Sequence, residues 1–216
     1  HAPDFALHAS TQMTVHTLDG AREARDIGFS RVVLSRECTR DEVRLITEQA
    51  GVEIEVFVHG ALCMCYSGQC YMSAVIGRRS GNRGQCAQPC RLPYGYGRFE
   101  NRYPMSLKDN CLIRYLGELS RMGVASLKLE GRMKRPEYVA IVTGIYRAAL
   151  DGREVRSSDL SALRAAFSRE GFTEGYYLGR TGPQMFGTRQ PERPDRELLA
   201  AARATYENLE PQRVPV

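Results

Sequence analysis

The sequence lacks any apolar run approaching the roughly 20 residues of a membrane helix, so no helical membrane span is expected. It is almost without lysine: of 30 basic residues only Lys108, Lys128 and Lys134 are not arginine. It has no G-x-S-x-G nucleophile elbow, no H-E-x-x-H helix and no phosphate-cradling G-x-x-x-x-G-K-[ST] loop, so the common hydrolase, zinc-protease and nucleotidase templates find no match. A signal-peptide pattern is missing too. The chain opens on His1 rather than Met, which leads us to expect a preceding segment.

What is present is an ordinary globular composition, 43% hydrophobic and 25% charged, over 216 residues. That length allows one large domain or two small ones and a core that needs no disulfides. Seven cysteines, five of them between Cys63 and Cys90, read as metal ligands in a reducing, cytoplasmic setting rather than as a secreted disulfide framework.

Strands alternate with helices through residue 152. Strands are predicted over Asp4–Ser10, Phe29–Ser35, Val52–His59, Tyr103–Leu107 and Val124–Leu129. Helices are predicted over Val15–Asp26, from Thr39 to Gly51 with Glu42 completing a capping box, over Cys111–Met122, and over Pro136–Leu150. This alternation predicts an α/β fold with a parallel sheet, open or closed as a barrel. A closed (β/α)₈ barrel needs eight strands, so a barrel reading places its first strands before His1. Residues 60–102 interrupt the rhythm as a cysteine-rich, arginine-rich insert. Residues 153–190 read as an exit segment with a helix over Leu160–Ser168. Residues 191–216 read as a Pro191–Pro194 linker followed by a helix over Asp195–Asn208.

In parallel α/β folds the strand ends that lead into helices carry the chemistry. Polar residues there include His8, Ser10, Thr11 and Gln12, then Arg36 and Glu37, then His59. Later come Ser106, Lys108 and Asp109, and finally Lys128, Glu130, Arg132 and Lys134. All three lysines fall in the last two groups. Cys63-x6-Cys70-x15-Cys86-x3-Cys90 offers four thiolates within 28 residues, suiting an iron–sulfur cluster or tetrahedral zinc. The tight C-x2-C pairs usual in structural zinc sites are missing. Cys65, Cys38 and Cys111 remain alternative ligands, and His59 near Cys63 leaves a thiol–imidazole pair open. Arg78, Arg79, Arg83 and Arg91, interleaved with Tyr71, Tyr94, Tyr96 and Phe99, suit phosphate contact and base stacking in single-stranded RNA.

The run from Glu55 through Phe57, His59, Gly60, Cys63, Cys65, Gly68 and Cys70 to Ser73 closely resembles the signature of the collagenase-like peptidase family, number thirty-two among peptidases of unassigned mechanism. The resemblance continues through Ser80–Arg91, Ser106–Asp109, Ser126–Lys134 and Gly171–Thr173. It implies a TIM-barrel-like domain, of which this chain is the later part. It further implies an enzyme that hydroxylates pyrimidines in tRNA or rRNA without oxygen, using a small anionic co-substrate such as prephenate. A [4Fe–4S] cluster on Cys63, Cys70, Cys86 and Cys90 is implied as well, with zinc the second choice. On that reading Lys108, Lys128 and Arg132 bind co-substrate carboxylates, and Asp109, Glu130 or His59 move protons. A collagenase-like peptidase and a non-catalytic cluster-bearing subunit are the other readings.

Overall fold

The computed structural model describes residues 4–132, 134–188 and 195–207. The predicted linker 191–194 lies outside the described residues. Contacts group the chain into two compact units, residues 1–130 with 169–189, and residues 131–168 with 190–216.

In the first unit β1 (His8–Ala9), α1 (Leu18–Asp26), β2 (Arg31–Val33), α2 (Arg40–Gln49) and β3 (Glu53–Ala61) follow the predicted alternation. Thr17 caps α1 by accepting the Gly20 N–H. Thr39 caps α2, and Glu42 reaches back to the Thr39 N–H, closing the predicted capping box. The cysteine-rich stretch then holds α3 (Met72–Gly77) and a hairpin of β4 (Tyr94–Tyr96) and β5 (Phe99–Arg102). Next come β6 (Asp109–Cys111), α4 (Leu116–Arg121) and β7 (Ser126–Leu129).

The second unit holds α5 (Pro136–Leu150), α6 (Ser157–Ala166) and, after the first unit's β8 (Phe172–Thr173), α7 (Arg196–Ala204). Pro136 opens α5, where its missing N–H costs nothing. Tyr138, Ile141, Val142 and Tyr146 form the buried stripe of α5 at helical spacing. Glu137 beside them is held by Arg203 Nε of α7 at 2.6 Å.

The sheet runs β1–β2–β3–β6–β8, with β7 also paired to β3. β1 with β2, β2 with β3, and β3 with β7 are parallel, as expected from the intervening helices. Two expectations fail. The stretch Tyr103–Leu107 is no strand; apart from one bridge between Leu107 and Phe186, pairing begins at Asp109. Pro104 lacks an amide donor in the middle of that run, which disfavours a ladder. Nor is the sheet wholly parallel: β6 runs antiparallel to the tail of β3, with His59 opposite Cys111 and Ala61 opposite Asp109. β8, from the predicted exit segment, joins β6 in parallel and so belongs to this sheet.

Ile54 and Val58 of β3, Val32 of β2, and Val43 and Ile46 of α2 are essentially fully buried. β3 alternates sides until a bulge between Phe57 and His59 shifts its register against β7. Glu55 and Phe57 share a face with Lys128, which pairs with Phe57 in the ladder. One face of the parallel strands is thus apolar, and the other carries charge close to the strand ends.

Candidate functional site

The charged face is built from salt bridges between neighbouring strands. Lys128 Nζ donates to Glu55 Oε1 at 2.8 Å, and Arg31 lies 3.6 Å from the other Glu55 oxygen. Burial pushes the Glu55 carboxyl up, but hydrogen bonds from Lys128 and Ser126 and the charges of Lys128 and Arg31 outweigh it. The group therefore sits below its ordinary value. Toward the strand ends, the Arg36 guanidinium stacks 3.8 Å from the centre of the Phe57 ring and donates to Glu130 Oε2 at 3.0 Å. Burial lowers the Arg36 pKa, while Glu130 and Cys63 raise it in part.

Gly60 lets this face close up. Its φ is +105°, and a Cβ there would stand 2.8 Å from Glu130 Cβ and 2.9 Å from Glu130 O. A small cavity behind β2, lined by Ser35, Arg36, Cys38 and Tyr177 among others, has room for about one water molecule and none for a substrate.

The cysteine segment leaves β3 at Leu62. Leu62, Leu107 and Met185 form an apolar footing with Tyr176 and Phe186. Arg91 fastens the far end of the segment to this footing. Its Nη1 donates to Leu107 O at 2.6 Å and to Ser106 Oγ at 3.2 Å, and its Nη2 donates to Leu62 O. The near end is sewn to the turn after β1. Thr14 Oγ1 donates to Ser67 O at 2.7 Å and accepts from Gln69 Nε2 at 2.7 Å. Gly68 presses on that turn so closely that a Cβ would stand 2.5 Å from Gln12 O. Buried Ser67 also accepts from the Arg36 N–H and donates to Glu37 Oε1.

All seven cysteines are free thiols. Cys38 and Cys111 are buried, and burial pushes the Cys38 thiol up to about 12. The five loop cysteines are half-buried and feel one another's charge. Burial raises Cys63 to about 11, with Cys90 and Cys70 adding to the shift. Burial raises Cys90, again with Cys86 and Cys70 adding, while Arg91 and Arg169 oppose. Cys65, raised by burial, also feels Cys70. Backbone amides point at two of the sulfurs: the Gln88 N–H donates to Cys86 Sγ at 3.3 Å, and the Cys65 N–H bonds the Cys63 sulfur. Among the described residues, no three His, Cys, Asp or Glu side chains stand close enough to share one metal ion. The thiols form a loose neighbourhood wider than the shell of one ion.

The predicted site residues distribute unevenly. Lys128 and Glu130 meet Glu55, Phe57 and Arg36 at the strand ends. His59 is 1% exposed, its ring 5.3 Å from that of Phe172. Asp109 is also buried, in an ion pair with Arg169 at 2.5 Å. Lys108 lies alongside Gly187, its amide donating to Met185 O. Arg132 is exposed and falls in the second unit. Arg78, Arg79 and Arg83 are exposed around α3, Arg79 donating to Gln85 O, whereas the Arg91 guanidinium is committed to the loop clamp.

Sequence reasoning passed over Arg169, because its partner Asp109 is 60 residues away. It named Arg36 only as one polar residue at a strand end. The signal for Arg36 was its position directly after the predicted strand Phe29–Ser35, with Phe57 two positions before the end of the next predicted strand, Val52–His59.

Fold and site together define a cysteine-rich α/β protein with a charged face at its parallel strand ends. The model of "Peptidase family U32" matches residues 1–186, and the chain belongs to that family. It is 42% identical over 185 residues to a 23S rRNA 5-hydroxycytidine synthase of Escherichia coli, covering 83% of this chain and 28% of that protein. It is 39% identical over 162 residues to tRNA hydroxylation protein P1 of Bacillus subtilis, covering 69% and 38%. It is also 37% identical over 204 residues to a protein named collagenase from Porphyromonas gingivalis, covering 81% and 48%. The chain thus spans less than half the length of these three relatives. No solved structure matches it significantly. No helix among the described residues is long and apolar enough to cross a membrane.

Proposed function

We propose that this chain carries the cysteine centre and part of the substrate pocket of an RNA-hydroxylating enzyme, acting on a pyrimidine of tRNA or rRNA. The observation that carries the reading is the neighbourhood of Cys63, Cys70, Cys86 and Cys90, ringed by Arg36, Arg91 and Arg169. Thiolates that share one neighbourhood repel one another, and a bound cationic iron core relieves that repulsion. The donor set fits a [4Fe–4S] cluster, since its sulfur ligands are soft and its span exceeds that of a single zinc ion. The surrounding guanidinium groups offset the net negative charge of such a cluster. When bound, the cluster supplies a redox or Lewis-acid centre beside the strand ends.

The chain's own residues do the positioning. Arg36 and Lys128, both close to the Phe57 ring, offer cations to a small carboxylate co-substrate such as prephenate. Glu130, held by Arg36, is the group placed to take or give a proton there. Asp109 and His59, buried in the sheet, hold structure around the centre. Exposed Arg78, Arg79 and Arg83, with exposed Tyr66 and Tyr71, offer RNA a basic, aromatic surface. The parallel strands β1, β2, β3 and β7 fit a section of a (β/α) barrel.

The collagenase name of one relative favours a peptidase as second reading. Cys63 does not fit the role of nucleophile: burial pushes its thiol up to about 11, the reverse of an activated thiolate.

Nucleoside mass spectrometry of cellular RNA tests the proposal. Deleting the gene removes one hydroxylated pyrimidine, and the wild-type gene restores it while a Lys128→Met variant does not. An unchanged nucleoside profile together with gelatin cleavage by the purified protein establishes the peptidase instead.

A further inference from the structure

The ligand pair Cys86 and Cys90 is separated by three residues, and the middle one, Gln88, occupies the left-handed region at φ 57°. That conformation turns the Gln88 N–H back onto Cys86 Sγ, while the Gln88 carbonyl accepts the Arg91 N–H at 2.9 Å. The Gln88 side chain reaches a different partner. Its Oε1 lies 3.5 Å from Nη2 of Arg169, whose Nη1 bonds Asp109 Oδ1 at 2.5 Å. Arg169 is 6% exposed and Asp109 is 1% exposed. The main chain at Arg169 is fixed as well: Gly187 packs so tightly against its carbonyl that a side chain there would collide with it. An unbroken path of contacts therefore leads from the first residue of β6, through a buried guanidinium, to the ligand loop.

We propose that Arg169 is a positioning residue of the cysteine centre, bracing the Cys86–Cys90 loop through Gln88 and holding a buried positive charge near Cys90. The inference rests on the cluster reading above. A buried Arg–carboxylate pair is seldom worth its desolvation as a stability device. It has a reason here, because Asp109 fixes the guanidinium in place. Groups outside the ligand shell that orient ligands set both affinity and potential. A positive charge close to the sulfurs favours the reduced, more negative state of a cluster and so raises its reduction potential. Arg91, locked onto the Leu62 and Leu107 carbonyl oxygens and also close enough to act on Cys90, adds to that field.

The test uses anaerobically reconstituted protein and three variants, Arg169→Met, Arg169→Lys and Gln88→Leu. Two quantities are read: the one-electron midpoint potential, from a dithionite titration followed by electron paramagnetic resonance, and the rate of iron loss to a chelator. Arg169→Met shifts the midpoint to more negative potential and speeds iron loss about tenfold or more. Arg169→Lys keeps the charge and a near-wild-type midpoint but loses iron faster, because the two-pronged brace is gone. Gln88→Leu behaves like Arg169→Lys. An unchanged midpoint in Arg169→Met, with iron loss that merely follows loss of helical signal, overturns the proposal. If Arg169→Met does not fold, wild-type iron retention in both Arg169→Lys and Gln88→Leu overturns it equally. Wild-type protein that takes up no iron brings down the cluster reading itself, and the proposal with it.

Discussion

Ile54 and Val58 in β3 and Val32 in β2 are at most 1% exposed, and Ile54 and Val32 face each other in the parallel β2–β3 ladder. From Leu62 to Leu92 only Leu62, Ser67, Ser73 and Pro89 are buried, and two of those are serines. The strands are held by apolar burial and ladder hydrogen bonds, which many small contributions share. The cysteine loop is held by a few side-chain-to-backbone bonds, notably those of Arg91, Ser67, Ser73 and Asn82. It also needs left-handed backbone at Gly68, Arg78, Gly84 and Gln88. The contrast teaches that the two regions should fail differently: the sheet gradually with core volume, the loop abruptly with single polar clamps or with its bound group.

The largest expected effect falls on the loop alone. Cys70→Ser lowers iron affinity about tenfold or more, while the circular dichroism of the strands and helices stays that of wild type. A parallel collapse of the helical signal breaks the contrast, because it makes the sheet depend on the cluster.

Arg91→Met comes next. It removes three hydrogen bonds and strands the Leu62 and Leu107 carbonyls, costing about 3 kcal/mol in urea denaturation. A loss within about 0.5 kcal/mol shows that the footing of Leu62, Leu107 and Met185 holds the loop without the clamp.

Gly68→Ala costs about 2 kcal/mol, through positive φ and collision with Gln12 O. Gly152→Ala, at similar φ but with open space around it, costs less and is the control that isolates the collision.

The smallest effect is on the charged strand face. Glu55→Gln costs about 1 kcal/mol at neutral pH. The Glu55 carboxyl lies below its ordinary value of 4.5, so its stabilisation is complete above that pH and fades as pH falls through the lower folded value. The variant therefore shows a shallower fall in stability below pH 4.5, read from urea midpoints across an acid series. Identical acid profiles for variant and wild type dismiss Glu55 as a contributor.

The same contrast explains what was legible beforehand. β2, β3 and β7 declare themselves by β-branched and apolar residues, and α2 by Thr39 and Glu42, because those signals act within a few residues. β6 reads Asp-Asn-Cys and carries no apolar alternation. It becomes a strand only by lying antiparallel on the tail of β3, about 50 residues earlier. α3 is six residues long with no side-chain cap, and Ser73 within it accepts the Ala87 N–H. The cysteines, Lys128 and Glu130 were visible as types at strand ends. The partners that define their roles were not: Arg36 over Phe57, and Arg169 on Asp109 and Gln88, are long-range choices that no local spacing encodes.

Iron and acid-labile sulfide content, with a visible spectrum, on protein purified without oxygen decides whether the cysteine neighbourhood binds an iron–sulfur cluster. About four irons and four sulfides per chain are expected, with a broad absorption that Cys70→Ser weakens. Iron-free protein after anaerobic reconstitution, or one zinc per chain in its place, contradicts the cluster reading.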